Sequence, residues 1–156
     1  MSLTLITKSH EETRELGRKL GELCRPGDWI GLTGELGAGK TCLVTGLALG
    51  IGVPEGYQVT SPTFIIHQTY PGKFPLHHLD LYRIHEPAEL FELGYQELLE
   101  GEGVCAVEWC EQVPGAIPES GVVLRLEIED ENSRAIGITK IDKRGEDLLS
   151  GLQAKL

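Results

Sequence analysis

Positive charge is what this sequence has least of: Lys and Arg total 14 against 24 Asp and Glu, a net charge of −10. Summed over the surface, that balance repels a polyphosphate backbone and excludes an independent grip on nucleic acid by bulk charge. A local basic patch, or a partner that holds the nucleic acid, escapes the exclusion. No stretch approaches the ~20 consecutive apolar residues of a membrane span. Lys8, His10, Glu11 and Glu12 stand where a signal peptide would need an apolar run. The expectation is a soluble, cytoplasmic protein. Cysteine is sparse: Cys24, Cys42, Cys105 and Cys110 form no Cys-x-x-Cys pair, and the Cys105 to Cys110 gap has no second pair to complete a zinc site. They read as reduced core cysteines. The absence of repeats, low-complexity tracts and linkers points to a single domain over residues 1–156.

What is present reads as ordinary globular material: 40% apolar and 24% charged residues, with 20 glycines that imply many turns and close backbone approaches. Leu3 to Ile6 reads as a strand. Ser9-x-x-Glu12 is a capping box opening a helix with Leu16, Leu20 and Leu23 on its apolar face, stopped by Arg25-Pro26-Gly27-Asp28. Trp29 to Thr33 is a short apolar run, followed by a glycine loop and a helix bearing Leu43, Val44, Leu47 and Leu49. Thr63 to Tyr70 reads as a strand, turned by Pro71-Gly72-Lys73 into Phe74 to Leu81. A helical stretch from Pro87 to Leu99, broken at Gly94, leads to a buried strand at Val104 to Val107. Strands at Val122 to Glu129 and Arg134 to Ile141 and a helix from Arg144 to Leu152 close the chain. The pattern predicts an α/β fold with a mixed parallel and antiparallel sheet in a three-layer, phosphate-loop NTPase-like sandwich.

Gly34-x-x-x-x-Gly39-Lys40-Thr41 matches the full phosphate-loop pattern in its required context of strand, glycine loop and helix. Its glycines let backbone N–H groups curl around phosphates, and the following helix adds its N-terminal partial charge. Glu35, Leu36, Gly37, Ala38, Gly39, Lys40, Thr41 and Cys42 are the expected nucleotide contacts. Lys40 reaches the outer phosphates from an exposed loop position, and the Thr41 hydroxyl holds Mg²⁺. Hydrolysis also needs a carboxylate at the end of a buried strand. Glu108 closes such a run. Asp80 lies in His78-Leu79-Asp80-Leu81-Tyr82-Arg83, where a period of two puts His78, Asp80 and Tyr82 on one face, either beside a ligand or along a solvated edge strand. Ser61-Pro62-Thr63-Phe64 reads equally as a loop sensing the γ-phosphate or as a turn entering a strand. Trp109 is either a stacking partner or core; Arg83 pairs with a phosphate or with Glu86; Glu111 reads as a solvated acid. Thr139-Lys140-Ile141-Asp142 imitates a guanine-reading motif, but it continues a strand, and no Asp-x-x-Gly switch follows a buried strand elsewhere.

Gly-Glu-Leu-Gly-Ala-Gly-Lys-Thr at 34–41, Ser-Pro-Thr-Phe at 61–64, His-Leu-Asp-Leu-Tyr-Arg at 78–83 and Val-Glu-Trp at 107–109 together resemble the bacterial TsaE (YjeE) family. The resemblance implies an ATPase required for N6-threonylcarbamoyladenosine at position 37 of tRNA. It implies ATP and Mg²⁺ as cofactors, TsaB and TsaD as partners, and tRNA reached only through their complex. Carried over by position, Lys40 becomes a phosphate ligand, Thr41 and Glu108 Mg²⁺-side ligands, and Asp80 a catalytic or metal-shell acid. Which of Asp80 and Glu108 binds the metal directly stays open. Ser61 to Phe64, Ser61 and Thr63 among them, become a switch-like loop, His78 stands on the switch or the base side, and Trp109 falls beside the nucleotide. Two other classes share the loop, a small-molecule kinase and a GTPase-like regulatory module. The kinase would need an arginine-rich lid, and the seven arginines here are scattered.

Overall fold

A computed structural model describes residues 2–156. In chain order the elements are β1 (Ser2–Thr7), α1 (His10–Leu23), β2 (Trp29–Thr33), α2 (Lys40–Ile51), β3 (His67–Tyr70), β4 (Leu76–Asp80), α3 (Pro87–Glu92), α4 (Tyr95–Glu100), β5 (Val104–Glu108), β6 (Val122–Ile128), β7 (Arg134–Lys140) and α5 (Lys143–Ala154). The strands form one seven-stranded sheet in the order β1-β7-β6-β2-β5-β4-β3. Its centre, β6-β2-β5-β4, is parallel, and antiparallel partners extend it on both sides.

Alternation along the central strands divides the core in two. Ile30, Leu32, Val104 and Ala106 face the layer of α1, α2 and α5. Trp29, Leu79, Cys105 and Val107 face α3 and α4. Helices on both faces of a central parallel sheet make the expected three-layer α/β sandwich.

α2 is wedged between α1 and the sheet, and glycines let the two helices touch backbone to backbone. A Cβ built on Gly46 would stand 1.8 Å from the carbonyl oxygen of Arg14, and one on Gly17 2.2 Å from that of Leu43. This contact fixes the start of α2, where the glycine loop ends.

Two local expectations need correction. The Ser9 hydroxyl accepts from the Glu12 N–H at 3.1 Å, but Glu12 reaches back to the Lys8 N–H rather than to Ser9. Thr63 to Ile66 is a turn, closed by the Ile66 N–H donating to the Pro62 carbonyl at 2.6 Å. Ile66 sits at φ 71°, outside the range a strand permits, so β3 begins only at His67. Phe64, in that turn, is 84% exposed. α2 carries all four expected leucine and valine residues, with Leu43, Val44 and Leu47 buried and Leu49 39% exposed at its rim.

Candidate nucleotide site

β2 delivers the chain to the loop, and three glycines then take left-handed conformations, Gly34 at φ 144°, Gly37 at 82° and Gly39 at 102°. α2 starts immediately at Lys40, so its free N–H groups face the concave side of the loop. A cavity of about 360 Å³ opens between residues 36–42 of the loop and a wall formed by Ser61, Thr63, Asp80, Tyr82, Glu108 and Trp109. Parallel registration explains how the wall assembles: Leu32 pairs with Glu108, and Asp80 pairs with Glu108, so three strand ends meet at one edge. In an open α/β sheet that edge is where ligands bind.

Lys40 is buried, contrary to the expected exposed position. Its Nζ donates to the carbonyls of Gly34 and Glu35, the latter at 3.0 Å, and lies 4.3 Å from the centroid of the Trp109 ring. Burial holds its pKa below the ordinary lysine value, while Glu108, Glu111, Asp80 and Glu35 pull in the opposite direction. The Thr41 hydroxyl donates to Glu108 Oε2 at 3.1 Å. Glu108 is buried at the end of β5, and Oε2 also lies 2.5 Å from His78 Nε2.

Asp80 is buried as well and holds the turn at 61–66 in place. Its Oδ2 accepts from Ser61 Oγ at 2.7 Å and Thr63 Oγ1 at 3.0 Å, and its Oδ1 from the Tyr82 N–H at 2.9 Å. β4 lies between β3 and β5, which rules out the solvated edge strand for His78 and Asp80. Trp109, at φ 58°, turns its ring between Lys40 and Tyr82, whose ring centroid is 4.9 Å away.

The remaining candidates spread around this centre. Leu36 is on the rim, largely exposed, and Glu35 contributes its carbonyl to Lys40. Cys42 donates its thiol to the His10 carbonyl at 3.3 Å. All four cysteines are free, and burial pushes Cys105 and Cys110 up to about 12, which keeps them as inert thiols. Arg83 neither meets Glu86 nor lines the cavity; its guanidinium lies 5.5 Å from the Phe64 ring centroid. The guanine lookalike sits at the far end of the sheet. Lys140 pairs with Val122 at the start of β6, whereas the loop lies at the end of the parallel strands, and Asp142 caps α5 by accepting from the Gly145 N–H at 3.1 Å.

Sequence reasoning missed Arg134, whose guanidinium touches the loop from behind, with Nε donating to the Ala38 carbonyl at 3.0 Å. The available signal was strand period: Arg134, Ile136 and Ile138 share a face, so an arginine in line with two core isoleucines is an inward one.

A glycine loop between a buried parallel strand and a helix N-terminus, with a serviceable lysine and two buried carboxylates at its mouth, defines a phosphate-loop nucleotide-binding protein. The family described as "Threonylcarbamoyl adenosine biosynthesis protein TsaE" matches residues 7–136. Proteins named "tRNA threonylcarbamoyladenosine biosynthesis protein TsaE" include one from Treponema pallidum, 39% identical over 85% of this chain and 97% of its own. A second, from Bacillus subtilis, is 35% identical over 94% and 90%, and a third, from Nostoc sp., 41% over 96% and 96%. The crystal structure of Bacillus subtilis YdiB superposes with a TM-score of 0.83 at 31% identity, covering 99% of this chain and 96% of that one. The chain belongs to the TsaE family.

Proposed function

We propose that this protein binds Mg²⁺·ATP in the loop cavity and hydrolyses it in support of the threonylcarbamoyl modification of tRNA, working with TsaB and TsaD. The observation that carries the reading is the meeting of Thr41, Glu108 and Asp80 at the mouth of the loop. A hydroxyl and a buried carboxylate 3.1 Å apart are the hard oxygen donors that Mg²⁺ takes through one or two protein groups. The metal, once bound, neutralises charge on the phosphate oxygens.

The chain's own groups divide the remaining work. Lys40 exchanges the Gly34 and Glu35 carbonyls for phosphate oxygens, and Gly37, Gly39, Lys40 and Thr41 offer backbone N–H donors, that of Ala38 being held by the Glu35 carbonyl. Glu108 with Thr41 holds the metal side. Asp80 first anchors the turn at 61–66, because three donors occupy its carboxylate; it can orient a water only when Ser61 or Thr63 lets go. That exchange makes the turn a switch responsive to the γ-phosphate. Ser61 and Thr63 act in that switch, His78 fixes Glu108, and Trp109 covers Lys40. With Arg83 packed on Phe64 rather than lining the cavity, turnover by the isolated chain is slow, and tens of reactions per second would contradict this.

The test is ATP hydrolysis by the purified chain, alone and with TsaB and TsaD, beside Asp80→Ala and Glu108→Ala and a GTP control. Activity stimulated by the partners and lost in both variants supports the assignment. Activity indifferent to the partners, or a preference for GTP, overturns it.

A further inference from the structure

Arg134 opens β7, and its guanidinium lies buried against the outer side of the phosphate loop, 96 residues along the chain from Ala38. Nε donates to the Ala38 carbonyl at 3.0 Å and one terminal nitrogen to the Gly37 carbonyl at 3.2 Å. The other terminal nitrogen donates to the carbonyls of Asp130 and Ser133, both at 3.0 Å, and more weakly to that of Glu131 at 3.5 Å. Among the described residues no carboxylate lies within ion-pair distance of it. Five backbone carbonyls satisfy its donors, and beyond a longer-range pull on Asp130 its charge is left to act on an anion that enters the loop.

Peptide planarity gives the two loop contacts a directional consequence. In a trans peptide the C=O and the following N–H point opposite ways, and no peptide bond among the described residues is cis. Drawing the Gly37 and Ala38 carbonyls toward Arg134 therefore turns the N–H groups of Ala38 and Gly39 away from it. Arg134 is not part of the cavity wall, whereas residues 36–42 are, so these amides turn toward the cavity side. The Ala38 N–H is taken by the Glu35 carbonyl at 3.1 Å, so the Gly39 N–H is the one left free for an anion, followed by those of Lys40 and Thr41 at the start of α2. Successive backbone N–H groups on a concave turn form an anion nest.

We infer that Arg134 is a positioning residue for the β-phosphate of a nucleoside di- or triphosphate. It sets two peptide planes of the loop from behind and leaves an unpaired positive charge beneath them. A lysine cannot substitute, because one nitrogen does not span the Gly37 and Ala38 carbonyls on one side and those of Asp130 and Ser133 on the other. The inference rests on the nucleotide reading above and adds to it where the preorganisation comes from.

The experiment compares wild type, Arg134→Lys and Arg134→Gln for binding of AMP, ADP and ATP by calorimetry, with hydrogen exchange of residues 35–39 in the ligand-free protein. The expected result is a loss on the order of tenfold or more for ADP and ATP in both variants. AMP, which has no β-phosphate, binds as in wild type, and the loop amides exchange faster. A merely structural residue would weaken all three nucleotides together, and equal losses, no loss or unchanged exchange would overturn the inference. If neither variant folds, the wild type decides: pyrophosphate must protect residues 37–39 from exchange, and lack of protection overturns it. Wild type that binds neither ADP nor pyrophosphate would sink the nucleotide reading itself, whereas normal wild-type binding with unaltered variants sinks this inference alone.

Discussion

His78 Nε2 lies 2.5 Å from Glu108 Oε2, with both side chains buried beneath α2 and the Nδ1 of the imidazole without a partner among the described residues. The carboxylate is thus held from two sides, by Thr41 at the cavity and by His78 in the core. With its hydrogen on Nε2 the ring donates to Glu108 and makes no other polar contact, so its role is the placement of that carboxylate. His78→Leu keeps the volume apolar but strips a buried acid of a donor. The expected cost is about 1–3 kcal/mol of stability, read from urea midpoints. The Mg²⁺ concentration needed for nucleotide binding should rise in the same variant, and an unchanged Mg²⁺ requirement would separate His78 from the metal side.

Lys40 over the Trp109 ring supplies an optical reporter. The ammonium lies 4.3 Å from the ring centroid and must leave to reach phosphate, which removes a cation–π contact worth on the order of 1–2 kcal/mol for a buried lysine. Nucleotide addition should therefore alter tryptophan emission. The other tryptophan, Trp29, is buried and donates to the Tyr95 hydroxyl at 2.9 Å, so Trp29→Phe keeps the response and Trp109→Phe abolishes it. Lys40→Ala should bind no nucleotide and give no response while retaining the fold, because Nζ holds only loop carbonyls and the Trp109 ring at the cavity and none of the core; global unfolding in circular dichroism would contradict this.

The contact of α1 with α2 governs the loop at a distance. A Cβ at Gly46 would meet the Arg14 carbonyl at 1.8 Å, and one at Gly50 the Arg18 carbonyl at 2.2 Å, distances only backbone movement can relieve. Gly46→Ala should cost on the order of 1–3 kcal/mol or more and weaken nucleotide binding, since α2 begins at Lys40. Gly56, where a Cβ meets nothing within 4 Å, is the control: Gly56→Ala should leave both quantities unchanged.

These relationships differ in how far the sequence reveals them. The glycine loop, Lys40 and Thr41 are local, because strand, loop and helix follow one another, and Glu108 announces itself as the polar end of an apolar run. The shared face of His78 and Asp80 follows from a period of two, but their burial does not, since it depends on β4 pairing with β5 on one side and β3 on the other. Thr63 to Ile66 looks like a strand by composition. It is a turn because the hydroxyls of Ser61 and Thr63 are drawn to a carboxylate 19 and 17 residues away. Arg134 is the extreme case, its loop partners lying 96 and 97 residues off.

The β3–β4 hairpin carries a pH dependence whose sign is fixed. His67 Nε2 lies 3.2 Å from His77 Nδ1, and the Thr69 hydroxyl lies 3.1 and 3.0 Å from the two nitrogens. Burial lowers both histidines below their ordinary value of 6.5; for His67 the neighbouring His77 and His78 add to it. The unfolded chain therefore binds protons more readily between 6.5 and the lowered folded values, and stability rises with pH across that window. It is fully present above pH 6.5 and lost as pH falls through the folded pKa values. His67→Gln with His77→Gln should flatten that part of the profile, measured as urea midpoints from pH 7.5 down to pH 5. A double variant that loses as much stability as wild type over the same range would show that these two rings are not its source.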